Sequence, residues 1–366
     1  MSAAGFTWHP EQDDVYDGNI YGNTTLTGLP SAFDKGQPYN FTMKGPIENS
    51  LTLQPTGAGR TNWGNSQGNG AAPTNFYIEG GTFTYRSQKE EELYVGYGSV
   101  VFTVMGHCHL LGGTVNGYIL NEQTPTTLIV IKQSGVFNIL TREFVGGLSV
   151  NIGDGGSMRL GSTRALAPQF SRFNVHSTVP DGGYSLDISA TAVEPIQTAI
   201  VLEKTSITCQ GNSKTRVLAS FTELLANKTI AVEGTIIDAS DNAVVEFRCD
   251  RIHIDEGCSF VLKNGSAAFF FSNKYGTEKL PLDLRAGKNP KAIFNFVTTK
   301  GANTGTFRFR ATSAADARQQ FLSMLSLGLF AIDGTPYTST INGYSIVNEP
   351  PYTDEHPYLV MRLKHS

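Results

Sequence analysis

Charge is scarce in this chain. Only 16% of its 366 residues are Asp, Glu, Lys or Arg, against about 25% in ordinary globular proteins. No Lys/Arg block is long enough to track a phosphate backbone, and 28 basic against 32 acidic residues leave a formal net charge of −4, so no nucleic-acid partner is expected. Long apolar runs are missing too: the longest are a handful of residues, far short of the roughly 20 that span a bilayer, which argues against membrane insertion. Met1 to Gly18 has neither a basic n-region nor an apolar h-region. The expectation is an intracellular protein, or one exported by a signal-peptide-independent route. The four cysteines, Cys108, Cys209, Cys249 and Cys258, form no CxxC; they fit reduced, buried thiols better than a disulfide scaffold, with a Cys249–Cys258 pairing left open. No P-loop, dinucleotide fingerprint or nucleophile elbow occurs, and no cofactor is expected.

What is present is enough apolar material for a core, with 40% hydrophobic and 10% aromatic residues, and an excess of glycine, 39 in all. Residues 1–75 are rich in Gly, Asn, Pro and Thr and hold both tryptophans, Trp8 and Trp63; with the aliphatic-poor tract from Gly57 to Gly70 they read as an irregular N-terminal arm. From Phe76 short β-rich runs begin, among them Val100 to Val104, Leu128 to Ile131 and Val136 to Leu140. Gly-Gly followed by such a run recurs at Gly80, Gly112, Gly146 and Gly182, at spacings of 32, 34 and 36. A recurring corner of this kind predicts an all-β parallel β-solenoid, with residues 76–291 as its body, each coil stacking on the last. The alternative is an antiparallel β-sandwich, supported by Asn264-Gly265 between two apolar runs, the pattern of a tight hairpin.

Residues 292–366 read as a capping segment of two strands, a helix near 314–327, a strand ending in Asp333-Gly334 and a last strand from Tyr358 to Leu363. The helix carries a capping-box pattern, Ser313-Ala-Ala-Asp316, apolar Ala317, Phe321, Met324 and Leu325 at helical spacing, and Gly328 to end it. Phe321 and Leu325 are expected to pack on the last coil. A second, shorter helix is predicted from Phe221 to Ala226 behind Ser220. The pattern of strand, strand, short helix, Gly-Leu-Phe-Ala-Ile-Asp-Gly and strand resembles the closing segment of bacterial parallel β-helix proteins of the adhesin and autotransporter-passenger kind. That resemblance covers the C-terminal quarter and implies a solenoid that works by surface contact.

Three clusters are candidates for chemistry. His107 and His109, two apart on a strand, project from one face and could share a metal, but no second His/Cys group stands at ligand spacing, so a packed corner is the favoured reading. Gly106-His107-Cys108 and Arg251-Ile252-His253 look like fragments of the polygalacturonase pattern; the Asp-Asp pair that should precede the histidine is absent, and no carboxylate pair for inverting hydrolysis can be nominated. A lyase reading would use Asp250, Asp255 and Glu256 to hold a cation and Arg248 or Arg251 to take a proton. Strict alternation would put Arg248, Asp250 and Ile252 on one face of that strand, with Cys249, Arg251 and His253 on the other.

Several strands are apolar at consecutive positions. Their residues Leu128, Val130, Val201 and Phe270 are expected to serve either self-association or the core, and part of the strands' outside should need a cover. The arm has few aliphatic residues to supply it, although Trp8 and Trp63 could dock as isolated anchors. The favoured expectation is therefore a non-catalytic, self-associating solenoid or adhesive module, a homo-oligomer with a surface glycan as a further partner. The alternative is a carbohydrate-active enzyme, a lyase or hydrolase acting on acidic polysaccharide.

Overall fold

The computed structural model describes residues 5–9, 12–27, 32–33, 39–55, 60–63, 73–87, 92–95, 99–117, 119–120, 124–180, 182–191, 199–226, 234–280, 282–284, 292–349 and 358–365. They are almost entirely β, with two helices, Gly18–Tyr21 and Ala314–Ser326, and the sheets are mostly parallel. No helix among them is long and apolar enough to cross a membrane. The described residues fall into two compact units, one within 1–174 and the other within 175–191 and 196–366.

In the first unit one parallel sheet runs, in order, through Asp14–Asp17, Asn40–Lys44, Thr74–Ile78, Val100–Val104, Thr127–Ile131 and Ser149–Ile152. A second runs through Ser50–Gln54, Thr82–Arg86, His107–Gly117, Val136–Gly146 and Ser157–Pro168. Residues alternate between buried and half-exposed along strands of the first sheet such as Val100–Val104 and Thr127–Ile131, while the long strands of the second sheet shift their inward row partway along. The stretch read as an arm thus contributes strands to both sheets. Trp63 is fully buried and stacked on Phe76 at 5.0 Å, and Trp8 lies 4.5 Å from Phe41. Of the tract from Gly57 to Gly70, only Arg60–Trp63 lies within the described residues.

The Gly-Gly pairs do not occupy equivalent places. Gly112 lies within a long strand opposite Thr141, whereas Gly146 ends the next strand opposite Gly117. The glycines that do align are Gly81, Gly106, Gly135 and Gly156, each preceding a strand of the second sheet, at intervals of 25, 29 and 21 residues. A Cβ on Gly106 would sit 2.6 Å from the Gly81 carbonyl oxygen, so it is neighbouring backbone that selects glycine here.

The second unit repeats the arrangement. One parallel sheet orders Ser206–Gly211, Ile236–Asp241, Ser259–Gly265, Phe294–Phe296 and Phe330–Ile332; the other orders Leu186–Ala190, Lys214–Leu225, Val244–Ile254, Ala268–Ser272 and Thr306–Arg310. In-register phenylalanines stack inside, Phe247 on Phe271 on Phe309 at 5.7 and 4.8 Å, and Phe260 on Phe294 at 5.5 Å. Asn264-Gly265 does not close a hairpin, because the strands on either side of it belong to different sheets. Gly265 (φ +73°) instead turns the chain in register with the left-handed Asp241 (φ +59°).

The helix predicted from Phe221 to Ala226 is not formed; those residues continue the strand Lys214–Leu225. Its inward row slips by one at Ser220 and Phe221, both half-exposed, and the next strand slips at the matching Asp250 and Arg251. Each long strand bends there, and both halves keep an inward face. The bend disguised the alternation, while Ser220 and Glu223 imitated a capping box.

The helix Ala314–Ser326 follows its sequence signals: Ser313 Oγ accepts from the Asp316 amide, and Gly328 is left-handed (φ +67°). The helix packs on Tyr358–His365, a strand that joins the second sheet of this unit antiparallel to Thr306–Arg310 and carries Tyr344–Glu349 on its other side. Ala317 and Met324 are buried, whereas Phe321 and Leu325 are half-buried. Replacing Phe321 and Leu325 together by Ala should therefore cost about 2–4 kcal/mol in chemical denaturation, below the sum for two fully buried side chains. A wild-type denaturation midpoint would show the helix to be peripheral.

Candidate functional site

The densest polar constellation among the described residues lies on the outward face of the second unit. The pairing register of Leu186–Ala190, whose residues are all buried, with Lys214–Leu225 and Val244–Ile254 puts Asp187, Arg216 and Glu246 side by side across three strands. Arg216 donates to Asp187 through Nε at 3.0 Å and Nη2 at 2.7 Å, the bidentate geometry that suits a planar guanidinium. The Arg216 guanidinium also lies 4.4 Å from the centroid of the Tyr184 ring. Tyr184 donates its hydroxyl to Glu246 at 2.8 Å, and Glu246 pairs with Arg248 at 2.7 Å. Burial first, and then the bond to Glu246, push the Tyr184 hydroxyl above its ordinary value, so it keeps its proton at neutral pH. Two cations face two anions with their main hydrogen bonds made. Such a network holds strands in register and leaves no base poised for proton abstraction.

Sequence reasoning singled out Arg248 and Asp250 here and missed Tyr184, Asp187 and Arg216. The charges of Val244–Ile254 were visible, but Tyr184, which bonds Glu246, lies 62 residues away and Lys274, which pairs with Asp250, lies 24 away, at a register no local signal gives. Arg248 and Asp250 do face outward; Ile252 is buried, because the row slips between Asp250 and Arg251. Asp250 pairs with Lys274 at 2.9 Å, and Asp255 begins the turn that leads to Cys258. No three His, Cys, Asp or Glu side chains converge among the described residues, so Asp250, Asp255 and Glu256 form no cation-holding group.

His107 and His109 project from the same strand, their ring centroids 6.0 Å apart, and His109 Nδ1 lies 3.0 Å from the Asn138 side-chain amide on the next strand. Burial, and then the neighbouring His107, hold the His109 imidazole below its ordinary 6.5. The unfolded chain takes up a proton that the native imidazole resists. This contribution is therefore complete above about pH 6.5 and is lost as pH falls toward the folded value. The drop in denaturation midpoint between pH 7.5 and 5.5 should be smaller in His109→Gln than in the wild type; an identical drop in both would refute the assignment.

All four cysteines are free and buried, Cys249 and Cys258 included. Burial pushes the Cys209, Cys249 and Cys258 thiols up to about 12, which makes them inert packing groups rather than nucleophiles.

Leu128 and Val130 face outward from Thr127–Ile131, Val201 from Ala199–Glu203 and Phe270 from Ala268–Ser272, and all four are half-buried. Phe270 is covered in part by its own chain, with Arg308 5.0 Å from its ring centroid and Tyr358 edge-on at 6.0 Å. Across the first sheet of the first unit, two outward rows can be followed strand by strand. One comprises Val15, Thr42, Tyr77, Thr103, Val130 and Asn151; the other comprises Asn40, Asn75, Val101, Leu128 and Ser149. Over these strands neither row holds a charged residue, and the exposed Arg172 stands beside Ser149 at the start of the next strand of the sheet. Asn75 donates to Asn40 at 2.8 Å, and Asn40 in turn donates to Asp13 at the margin.

No family model, curated protein or solved structure matches the chain.

Proposed function

We propose that the chain is a non-catalytic β-solenoid, its parallel ladders being stacked coils within each unit, and that it acts through its surface as a self-associating structural component or adhesive module. The observation that carries this reading is the charge-free pair of outward rows on the first unit's sheet. Like surfaces that carry no charge meet without electrostatic repulsion, and a sheet face of Val, Thr, Leu, Tyr and Asn offers a partner apolar area together with hydrogen-bonding groups. Two rows across six strands amount to on the order of 400 Å², about half of the ~800 Å² per partner of a standard stable interface, so association through this face alone should be weak and concentration-dependent. The C-terminal resemblance to β-helix adhesins supports the same reading. The carbohydrate-active alternative is the weaker proposal, since its nominee Asp250 is ion-paired with Lys274.

Electron microscopy over a concentration series tests the proposal. Wild-type protein should form particles or filaments that grow with concentration, and Thr103→Glu, which sets a charge at the centre of the uncharged rows, should disperse them. Assemblies unchanged by Thr103→Glu would place the contact elsewhere on the molecule. Isolated monomers of the wild type at every concentration would end the structural reading.

A further inference from the structure

The ladder that runs through Asp187, Arg216 and Glu246 continues in register to Phe270 and then Arg308. Its first three members are neutralised within the network described above. Arg308 is not: its Nε donates to Thr306 Oγ1 at 2.9 Å, its guanidinium rests against the Phe270 ring, and it meets no carboxylate among the described residues. One hydrogen bond and one ring contact thus fix the group, leaving the terminal amino edges of its fork for an outside acceptor.

Two residues further along the same outward face, Arg310 lies 5.2 Å from the Tyr358 ring centroid and donates through Nε to the Thr277 carbonyl at 3.1 Å. That carbonyl belongs to the turn Asn273–Glu278, which is locked by Asn273 Oδ1 accepting from the Thr277 and Glu278 amides and by left-handed Gly276 (φ +76°). The turn displays Tyr275, 72% exposed, the most open of the large apolar side chains described. One side of its ring lies under the Lys274 ammonium, which is itself held by Asp250. A rigid turn that exposes an aromatic ring and is held by Arg310, two residues along the strand from Arg308, which meets no carboxylate among the described residues, has no evident packing purpose.

We infer that this surface, formed by Tyr275, Arg308 and Arg310, binds an acidic oligosaccharide, the open side of the Tyr275 ring stacking on a sugar face and the Arg308 fork taking the sugar's oxyanion. Charge complementarity selects the ligand. Arg308, without a carboxylate among the described residues, on the same outward face as the arginine that holds the Tyr275 turn, suits an occasional anion along a sugar chain, whereas a nucleic acid, charged at every residue, would call for a continuous basic track that this chain of net charge −4 lacks. The inference rests on the adhesive form of the proposed function and gives it a ligand class.

Affinity electrophoresis through gels containing polygalacturonate, dextran sulfate, neutral dextran or single-stranded DNA tests it. Wild-type protein should be retarded by polygalacturonate or dextran sulfate, which distinguishes carboxylate from sulfate as the anion, and not by dextran. Arg308→Ala and Tyr275→Ala should each weaken retardation at least tenfold. Arg308→Lys, which keeps the charge and loses the fork, should fall between. Tyr275 is exposed, so its variant keeps the fold even if Arg308→Ala is compromised. Absence of retardation in the wild type, undiminished retardation in Tyr275→Ala and Arg308→Ala, or equal retardation by DNA would each overturn the inference. A wild type that associates in solution but ignores both acidic polymers sinks this site alone; one that does neither sinks the surface reading with it.

Discussion

Gly146→Ala should destabilise the protein by about 3–5 kcal/mol, while Gly182→Ala should fall within about 0.5 kcal/mol of wild type. Both glycines belong to Gly-Gly pairs that look equivalent in the sequence. At Gly146 the backbone is left-handed (φ +108°), and a Cβ would collide with the carbonyl oxygen of Gly117 on the neighbouring strand and approach its carbonyl carbon to 2.8 Å. Neither obstacle is the end of a flexible side chain, so relief requires two paired strands to separate. A Cβ on Gly182 would meet nothing within 4 Å. Thermal or urea unfolding of the two variants checks the contrast; equal effects would mean that the close approach at Gly117 does not exist.

Phe271→Ala should be comparably severe, about 3–5 kcal/mol, because the ring is fully buried at the meeting point of both sheets of the second unit. Its centroid lies 4.8 Å from that of Phe309, 5.1 Å from Phe260, 5.6 Å from Phe294 and 5.7 Å from Phe247. Truncation would leave a cavity walled by four rings that are each held in a strand and cannot all collapse into it. By contrast Phe270→Ala, one residue away on the outward face, should cost no more than about 1–2 kcal/mol, as only a half-buried ring is lost. Denaturant midpoints of the two variants measure the difference. A larger loss for Phe270 would invert the assignment of inside and outside on that strand.

Much of this architecture could be read from residues alone where strands are short. Val100–Val104 and Thr306–Arg310 begin and end where their β-branched and aromatic runs do, and Ser313, Asp316 and Gly328 mark the ends of the C-terminal helix. Illegibility began where one strand serves two faces. Lys214–Leu225 and Val244–Ile254 each change row partway along, so a period of two fails in the middle and the first was taken for a helix. The spacing of the corners misled for a related reason: paired parallel strands are separated by 21 residues in one place (Leu128 to Ser149) and by 36 in another (Phe294 to Phe330), and the glycines that align are chosen by contact with the neighbouring strand's backbone, not by a fixed period. The outward network was hidden most deeply. That Arg216 finds Asp187, and that Glu246 finds Tyr184, depends on which strand lies beside which, a fact carried by the whole sheet rather than by either strand.

The central claim is that the uncharged outward face makes this chain associate with itself. Sedimentation velocity across a hundredfold range of protein concentration, at low and high salt, tests it most directly. The weight-average sedimentation coefficient should rise with concentration and persist at high salt, because an apolar, uncharged contact is not weakened by screening that removes exposed charge steering beyond about 10 Å at 0.1 M ionic strength. A single monomeric boundary at every concentration and salt would contradict it.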